Sequence, residues 1–188
     1  LENTNIRLQG EITERKQKEE VLRNLEELES SMLDAIPHAV IGLKNRTIIF
    51  ANNSVKDVFG WKPDEIIGKS SQLLYRTEKE FREIGDIFYP LLKKQQTHSL
   101  EFPCRRKDGK DIICMVNAAR IGKRLNDKNI VVIYEDITEQ KRAKEALAES
   151  EKKYRNIFDN SIEGIFQISP DGSILNINPA LARIYHSN

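Results

Sequence analysis

Two segments, residues 13–33 and 138–158, repeat apolar residues at the spacing of an amphipathic helix and contain neither proline nor glycine. The first segment carries apolar residues spaced four, three and four positions apart, which is typical of a coiled-coil seam. This seam consists of Val21, Leu25, Leu28 and Met32. The second segment keeps the spacing, but alanine and serine weaken its seam. The pattern predicts a linker helix over each segment and a dimer contact through the first.

Between the two linker helices, alternating or continuous apolar runs predict five strands. The strands are expected at residues 39–43, 47–51, 99–106, 112–120 and 130–135. Asp108 and Gly109 predict a two-residue hairpin turn between the third and fourth strands. Pro103 has no backbone N–H to donate to a neighbouring strand, so the third strand is expected at an edge of the sheet.

The stretch between the second and third strands has the spacing and the end signals of helices. Short helices are expected over residues 52–59, 63–67 and 69–75. Gly60 and Gly68 are placed to end the first two, because glycine adopts the left-handed conformation that closes a helix.

A longer helix is expected after Thr77, a good N-cap residue, and Pro90 is expected to kink or end it near its last turns. Gly85 weakens this helix by about 1 kcal/mol relative to alanine. Close approach by another group and plain packing are both open as reasons for this glycine. The residues expected to face the core are Phe81, Ile84, Phe88 and Leu91.

A short phrase occurs twice in the chain. Residues 11–16 (EITERK) recur 125 positions later as residues 136–141 (DITEQK), and a period of this length is a whole domain. Asp136 and Glu139 form a capping-box signature, so a helix is expected to start right after Asp136, whereas Glu11 predicts poorer capping of the first helix. The repeat divides the chain into the tail of a preceding module (1–12), a linker helix (13–33), a complete module (34–137), a second linker helix (138–158) and the truncated start of a next module (159–188).

The charge balance argues against two classes of partner. Lysine and arginine total 30 against 29 acidic residues, a net charge of +1, so we expect no nucleic-acid partner. No apolar run approaches the roughly 20 residues of a membrane span, so this segment is expected to make no membrane contact.

Cys104 and Cys114 are expected to be reduced and buried in a cytoplasmic setting, and no metal-binding pattern is visible. Whether the parent protein is membrane-anchored is left open.

Four motifs resemble the PAS domains of bacterial sensory proteins. They are Asn52-Asn53-Ser54, GWKPDEIIGK at 60–69, RKDGK at 106–110 and Asp136-Ile137-Thr138. Their order, spacing and duplication carry the resemblance, which covers residues 34–137. It implies an α+β fold with a five-stranded antiparallel sheet of strand order 2-1-5-4-3. Short helices would cover one face, and coiled-coil-like helices would flank the domain at both ends. This order places the third strand at an edge, in agreement with Pro103.

The resemblance also implies a ligand pocket between the long helix and the sheet. Candidate walls, which a plain core would also use, are Ile84, Phe88, Phe102, Cys104 and Met115. In the flavin photoreceptors of the family a reactive cysteine follows the Gly-Lys step, and Ser71 stands there in this chain, which excludes that photochemistry. Haem-binding members use a histidine on the long helix, where residues 77–95 contain none, and Tyr89 and Cys104 are weak substitutes. No cofactor is expected, although the residues leave a non-covalent flavin or a small organic ligand open.

A sensory module is the function that the resemblance implies. No catalytic motif is present, so this segment is not expected to be an enzyme. The signal is expected to pass through Asp136, Ile137 and Thr138 into the outgoing helix. It would reach an output domain of the parent protein, a histidine kinase in a phosphorelay or a diguanylate cyclase. The expected partners are a second copy, bound through the linker helices, and the adjacent PAS and output domains. The alternatives are a ligand-free dimerisation and spacer module and a flavin- or haem-binding redox or gas sensor.

Overall fold

The computed structural model describes residues 2–122 and 129–186 of the chain. They fall into two compact units, Leu1–Ile137 and Thr138–Asn188. The first unit contains α1 (Glu2–Asp34), β1 (Ala39–Lys44), β2 (Thr47–Ala51), α2 (Val55–Phe59), α3 (Pro63–Ile66), a 3-10 helix (Ser71–Leu74), α4 (Glu78–Lys94), β3 (Thr97–Arg105), β4 (Asp111–Arg120) and β5 (Ile130–Asp136). The second unit contains α5 (Thr138–Asn160), β6 (Phe166–Ile168), β7 (Ile174–Ile177) and α6 (Pro179–His186).

The first unit is built on a five-stranded antiparallel sheet. The strand order is β2-β1-β5-β4-β3, which confirms the order that the resemblance implies. β5 lies at the centre, where it pairs with β1 on one side and with β4 on the other. β3 lies at an edge beside β4, as Pro103 predicts.

One face of this sheet is buried and the other is partly exposed. Burial alternates along β4, and its buried residues are Ile112, Cys114, Val116 and Ala118. α2, α3, the 3-10 helix and α4 contribute the other side of this core. Phe59 of α2, for example, meets Tyr134 of β5 edge-on with ring centroids 5.2 Å apart. The removal of these apolar side chains from water is the main force that holds the helices against the sheet.

The tip of the β3–β4 hairpin docks on α2 and α3. The Lys107 N–H donates to the Phe59 carbonyl at 2.8 Å, and the Lys107 ammonium lies 2.7 Å from the Glu65 carboxylate. Gly60, with φ of 78°, ends α2 as predicted and turns the chain toward this contact. Two of the sequence motifs therefore meet in space, because one supplies the hairpin tip and the other supplies the surface that receives it.

The first helix starts earlier than predicted. α1 begins at Glu2 rather than at residue 13, so residues 2–12, expected as the tail of a preceding module, are helical. A lone strand would leave its backbone groups unpaired, whereas a helix pairs them internally. That these residues belong to a preceding module stays a prediction.

Two of the short helices are shorter than predicted. α2 begins at Val55 rather than at residue 52, because Asn52 and Ser54 use their side chains to bond other segments. The helix expected over residues 69–75 is reduced to the 3-10 helix.

The long helix begins as predicted and continues past Pro90. Thr77 is its N-cap, with the hydroxyl accepting from the Glu80 N–H at 3.2 Å. Pro90 does not end α4, which continues to Lys94. Proline removes the N–H that would bond the carbonyl four residues earlier, at Asp86, and that position is exposed to water, which can take the place of the missing donor.

The second unit repeats the start of the first. β6 and β7 form an antiparallel pair, and α6 follows. The turn between the strands contains Gly172, with φ of 88°. In the part of the chain that the structure describes, no helix combines the length and the apolar character that crossing a membrane requires.

Two tyrosines meet in the middle of the core of the first unit. The hydroxyls of Tyr75 and Tyr134 lie 3.0 Å apart and hydrogen-bond to each other. Burial, as the largest cause, raises the pKa of both phenols above the ordinary value near 10. The folded state therefore holds these protons more tightly than the unfolded chain does.

This tyrosine pair predicts a loss of stability in alkali. Its contribution is fully present below the unfolded pKa of about 10 and is lost as the pH rises above it, by about 1.4 kcal/mol per pH unit for each tyrosine. Tyr75→Phe should lower the free energy of unfolding at pH 8, and its difference from wild type should shrink between pH 10 and 11. Urea unfolding followed by Trp61 fluorescence measures both. A difference that stays constant over this range would contradict the prediction.

Candidate functional site

A small cavity lies between α4 and the buried face of the sheet. Its volume is about 30 Å³, room for one or two water molecules. The sheet contributes mostly apolar walls, and α4 closes the other side. The residues from these two elements include Ile84 and Phe88 on α4, and Val116, Ala118, Val132 and Tyr134 on the sheet.

The five pocket residues predicted from the sequence do not all reach this cavity. Ile84 and Phe88 line it. Phe102 and Cys104 are buried in the same core but do not line the cavity, and Phe102 packs against the Tyr75 ring instead. The assignment of Met115 to the pocket is wrong. Its side chain is partly exposed and lies on the face of β4 that points away from the core. Successive strand residues point to opposite faces, so an error of one position exchanges the core for the surface.

An arginine that the sequence analysis did not single out lies at the cavity. Arg46, in the turn between β1 and β2, lines it together with Ser71 and Tyr89. Its guanidinium lies over the Phe81 ring, 3.9 Å from the centroid, and donates to the Phe81 carbonyl. Burial raises the pKa of Tyr89, and the nearby Arg46 charge opposes this effect. Comparison of the two repeats would have found this residue, because the second unit has a glycine at the same turn position.

The groups that could hold a cofactor have unsuitable chemistry. The hydrogen bond with Cys114, together with burial, raises the pKa of Cys104 well above its ordinary value, so this thiol stays protonated. Ser71, at the position of the photoreceptor cysteine, does line the cavity, but a hydroxyl does not replace a thiol in that reaction. Among the described residues, no cluster of three or more histidine, cysteine or acidic side chains is placed to bind a metal.

The predicted joint for signal output lies where β5 leaves the sheet. Asp136 is the last residue of β5, paired with Cys114, and the Ile137 N–H donates to the Ile113 carbonyl at 2.9 Å. α5 begins at Thr138, one residue later than the capping signature indicated. A single residue thus separates a central strand from the outgoing helix.

A buried amide ties the end of α1 to the sheet. The Asn52 side chain donates to the Leu33 carbonyl at 2.9 Å and to the His38 carbonyl at 3.0 Å, and it accepts from the Val40 N–H at 2.8 Å. Asn52 is 3% exposed, so these bonds are shielded from water. The Asn52 side chain therefore holds together the end of α1, the segment that follows it and β1.

The second unit repeats part of this arrangement. Asn178, fully buried, accepts from the Ile165 N–H at 2.9 Å and donates to the Glu163 carbonyl at 2.9 Å. It also accepts from the Leu181 N–H at 2.9 Å. The asparagine of the repeated motif therefore ties the connecting segment to the first strand in both units, while the described bond to the preceding helix belongs to Asn52.

The buried amide predicts a large stability difference between two neighbouring asparagines. Asn52→Leu removes the side-chain partner of the Val40 N–H and of the His38 carbonyl, while the Leu33 carbonyl keeps a bond from the Ile36 N–H at 3.3 Å, and should cost about 2 kcal/mol of unfolding free energy. Asn53→Ala removes a bond to the exposed Asp34 carboxylate (2.9 Å) and should cost less than about 1 kcal/mol. Urea unfolding followed by Trp61 fluorescence compares them. Equal costs for the two variants would show that the Asn52 bonds do not hold the helix end.

The predicted dimer seam on α1 is exposed in the part of the chain that the structure describes. Its four residues are half to two-thirds exposed: Val21, Leu25, Leu28 and Met32. The exposed side chains of α1 also form ion pairs one turn apart, such as Arg15 with Glu19 at 2.9 Å. The helix thus presents an apolar stripe among charged residues.

Comparison with known proteins identifies relatives of both units. A profile of the PAS domain family matches residues 37–139, and a second PAS domain profile matches residues 152–188. The sensor protein TdiS of Thauera aromatica is 32% identical over 117 residues, which are 62% of this chain and 21% of that protein. The chain therefore spans about a fifth of the length of this relative.

Solved structures share the fold of the first unit. The PAS domain of a LuxR-family transcriptional regulator from Burkholderia thailandensis, in complex with ethanol, superposes with a TM-score of 0.54 and 20% identity, covering 57% of this chain and 95% of that chain. The PAS domain of a Colwellia psychrerythraea protein gives a TM-score of 0.54 and 18% identity, covering 61% of this chain and 98% of that chain. These similarities concern the fold alone. Since the first family profile covers more than half of the sequence, the chain belongs to the PAS domain family.

Proposed function

We propose that the first unit is a sensory module that passes a conformational signal through its linker helices to an output domain of a larger bacterial sensor protein. The observation that carries this proposal is the course of β5. Three of its residues, Ile130, Val132 and Tyr134, line the cavity, and the strand ends at Asp136, with one residue between it and α5. A change at the cavity wall acts on the strand that leads into the outgoing helix.

The size and walls of the cavity favour a small ligand over a large cofactor. A flavin or a haem needs far more space than about 30 Å³, and the sheet residues at the cavity offer a phenol but no side-chain amide for the polar edge of a flavin. The solved neighbour from B. thailandensis is a complex with ethanol, which supports a ligand of few atoms. The module would therefore work without a resident cofactor.

The output is proposed to be a histidine kinase in a phosphorelay. Support comes from the relative TdiS, named as a sensor protein, of which this chain corresponds to a small part. Catalysis would then lie elsewhere in the parent protein, and this segment would act as a non-enzymatic regulator at the cytoplasmic side. Sequencing the parent gene beyond Asn188 tests the output directly: a dimerisation-and-phosphoacceptor helix followed by an ATP-binding domain is expected.

The module is further proposed to act as a homodimer through its linker helices. The support is the exposed seam on α1, because apolar stripes of this spacing bury themselves against a second helix. Symmetric pairing would place the two copies of α5 under common control, so that a change in one cavity is felt by the pair. A ligand-free spacer would share this dimer but not the coupling between cavity and α5.

Filling the cavity should alter α5 if the two are coupled. Ala118→Leu adds volume at the cavity wall, whereas Ala119→Leu adds the same volume on the other face of β4. Hydrogen exchange of residues 138–158 should change in the first variant and match wild type in the second. Unchanged exchange in Ala118→Leu, with the variant shown to be folded, would favour the spacer function over the sensory one.

The seam should govern the oligomeric state. The double substitution Leu25→Ala and Leu28→Ala should weaken dimerisation by about tenfold or more, since each leucine loses apolar burial worth over 1 kcal/mol. Arg23→Ala with Glu27→Ala changes the neighbouring polar surface, where the two side chains lie 3.9 Å apart, and should leave the dimer intact. Sedimentation equilibrium measures the dissociation constants. A seam variant that dimerises like wild type would exclude α1 as the dimer contact.

A further inference from the structure

Arg46 occupies a turn position that favours glycine. It is the second residue of a two-residue hairpin turn closed by the Lys44–Thr47 pair, and both turn residues have positive φ, 47° for Asn45 and 66° for Arg46. Turns of this kind prefer Asn-Gly, because a side chain is strained in the left-handed region. The second unit has Gly172, with φ of 88°, at the corresponding position. The first unit thus places an arginine where the backbone is better served by glycine.

The long helix is shaped to receive this arginine. A Cβ added at Gly85 would lie 2.0 Å from an Arg46 guanidinium nitrogen and 2.6 Å from its Cζ, so the guanidinium rests directly on the helix backbone. Any side chain at position 85 would displace it. Arg46 and Gly85 are each unfavourable locally, the one in its turn and the other within a helix. Their complementary fit is a specific arrangement that neither local backbone preference explains.

In the part of the chain that the structure describes, the guanidinium of Arg46 has no anionic partner. Its contacts are the Phe81 carbonyl, the Phe81 ring, and the ring and hydroxyl of Tyr89. Arg46 is partly buried beside the cavity, where a cation is poorly solvated. A guanidinium carries five N–H donors in a planar fork that matches a carboxylate. The neutral contacts satisfy this fork only in part.

We propose that the cavity binds a small aliphatic monocarboxylate, whose carboxylate pairs with Arg46 and whose hydrocarbon tail enters between α4 and the sheet. This inference rests on the proposed sensory function and names its ligand class. The apolar walls Ile84, Phe88 and Val116 suit the end of a short alkyl chain. A volume of about 30 Å³ does not take a whole butyrate, so the guanidinium of Arg46 has to shift outward to admit the ligand, and longer acids should bind more weakly. Pairing would draw the guanidinium away from the Phe81 carbonyl, so binding would change a contact between the β1–β2 hairpin and α4.

The test is a titration with sodium butyrate and with the uncharged butyramide, at constant ionic strength, followed by thermal unfolding and calorimetry. Acetate, propionate and hexanoate extend the series. Butyrate should stabilise the wild-type chain in proportion to its concentration, and butyramide should not. Arg46→Gly suits the turn and keeps the fold, yet should weaken butyrate binding about tenfold or more, the scale of a charge-assisted pair. Gly85→Ala should do the same by displacing the guanidinium.

The control is Arg82→Ala, which removes an exposed arginine of α4 that pairs with Glu78. This variant should bind butyrate like wild type. Equal binding of butyramide, or butyrate binding that survives Arg46→Gly, would overturn the carboxylate class while leaving a ligand-binding sensor intact. No stabilisation by any acid of the series would also overturn it. Failure of the sensory function itself would be seen separately, as unchanged hydrogen exchange of residues 138–158 in the folded Ala118→Leu variant.

Discussion

The central position of β5 is the constraint on which the rest of the first unit depends. Both edges of this strand are hydrogen-bonded, to β1 on one side and to β4 on the other, so its backbone has little freedom to move alone. The residues that alternate onto its buried face form part of the core and part of the cavity wall, with Tyr134 in both. The same strand then gives way to α5 after one residue. The core, the cavity wall and the connection to α5 therefore all depend on β5.

Such an arrangement restricts how a bound molecule can act. Two neighbouring strands hold β5 at Val132 and Tyr134, so under the proposed function a displacement there would be passed along the sheet rather than absorbed locally. The Tyr75–Tyr134 hydrogen bond adds a contact from the helical layer to the same strand. A polar contact inside this core thus reaches the strand that leads out of the domain. The other walls combine apolar side chains with Arg46, Ser71 and Tyr89.

Much of the fold could be predicted from the sequence because its signals are local. Strand alternation, the turn at Asp108-Gly109 and the edge position of Pro103 depend on backbone chemistry that acts within a few residues. The failures have a common cause, which is that the deciding contact lies far away in the chain. Residues 52–54 have helical spacing, but their side chains bond the end of α1 and the segment after it. Tertiary bonds override helix propensity there.

The candidate site was only half accessible to sequence reasoning. The α4 residues Ile84 and Phe88 follow from helical periodicity, whereas Met115 was assigned to the wrong face because its strand register was off by one position. Nothing in the local sequence around Arg46, a turn residue, indicated that it belongs to the candidate site. Its role depends on Gly85, 39 positions along the chain, and only coordinates bring the two together.

The bonds of Asn52 have a consequence for how such domains combine. Its amide contacts only main-chain groups of Leu33, His38 and Val40, which every residue type except proline at the N–H position can supply. The side chains of the incoming helix are therefore largely free to change without loss of this attachment. A gene that joins the domain to a different upstream helix keeps the same connection, and Asn178 of the second unit repeats the bonds to the connecting segment and to the first strand. Interchangeable coupling of this kind suits the assembly of long receptor arrays from copies of one unit.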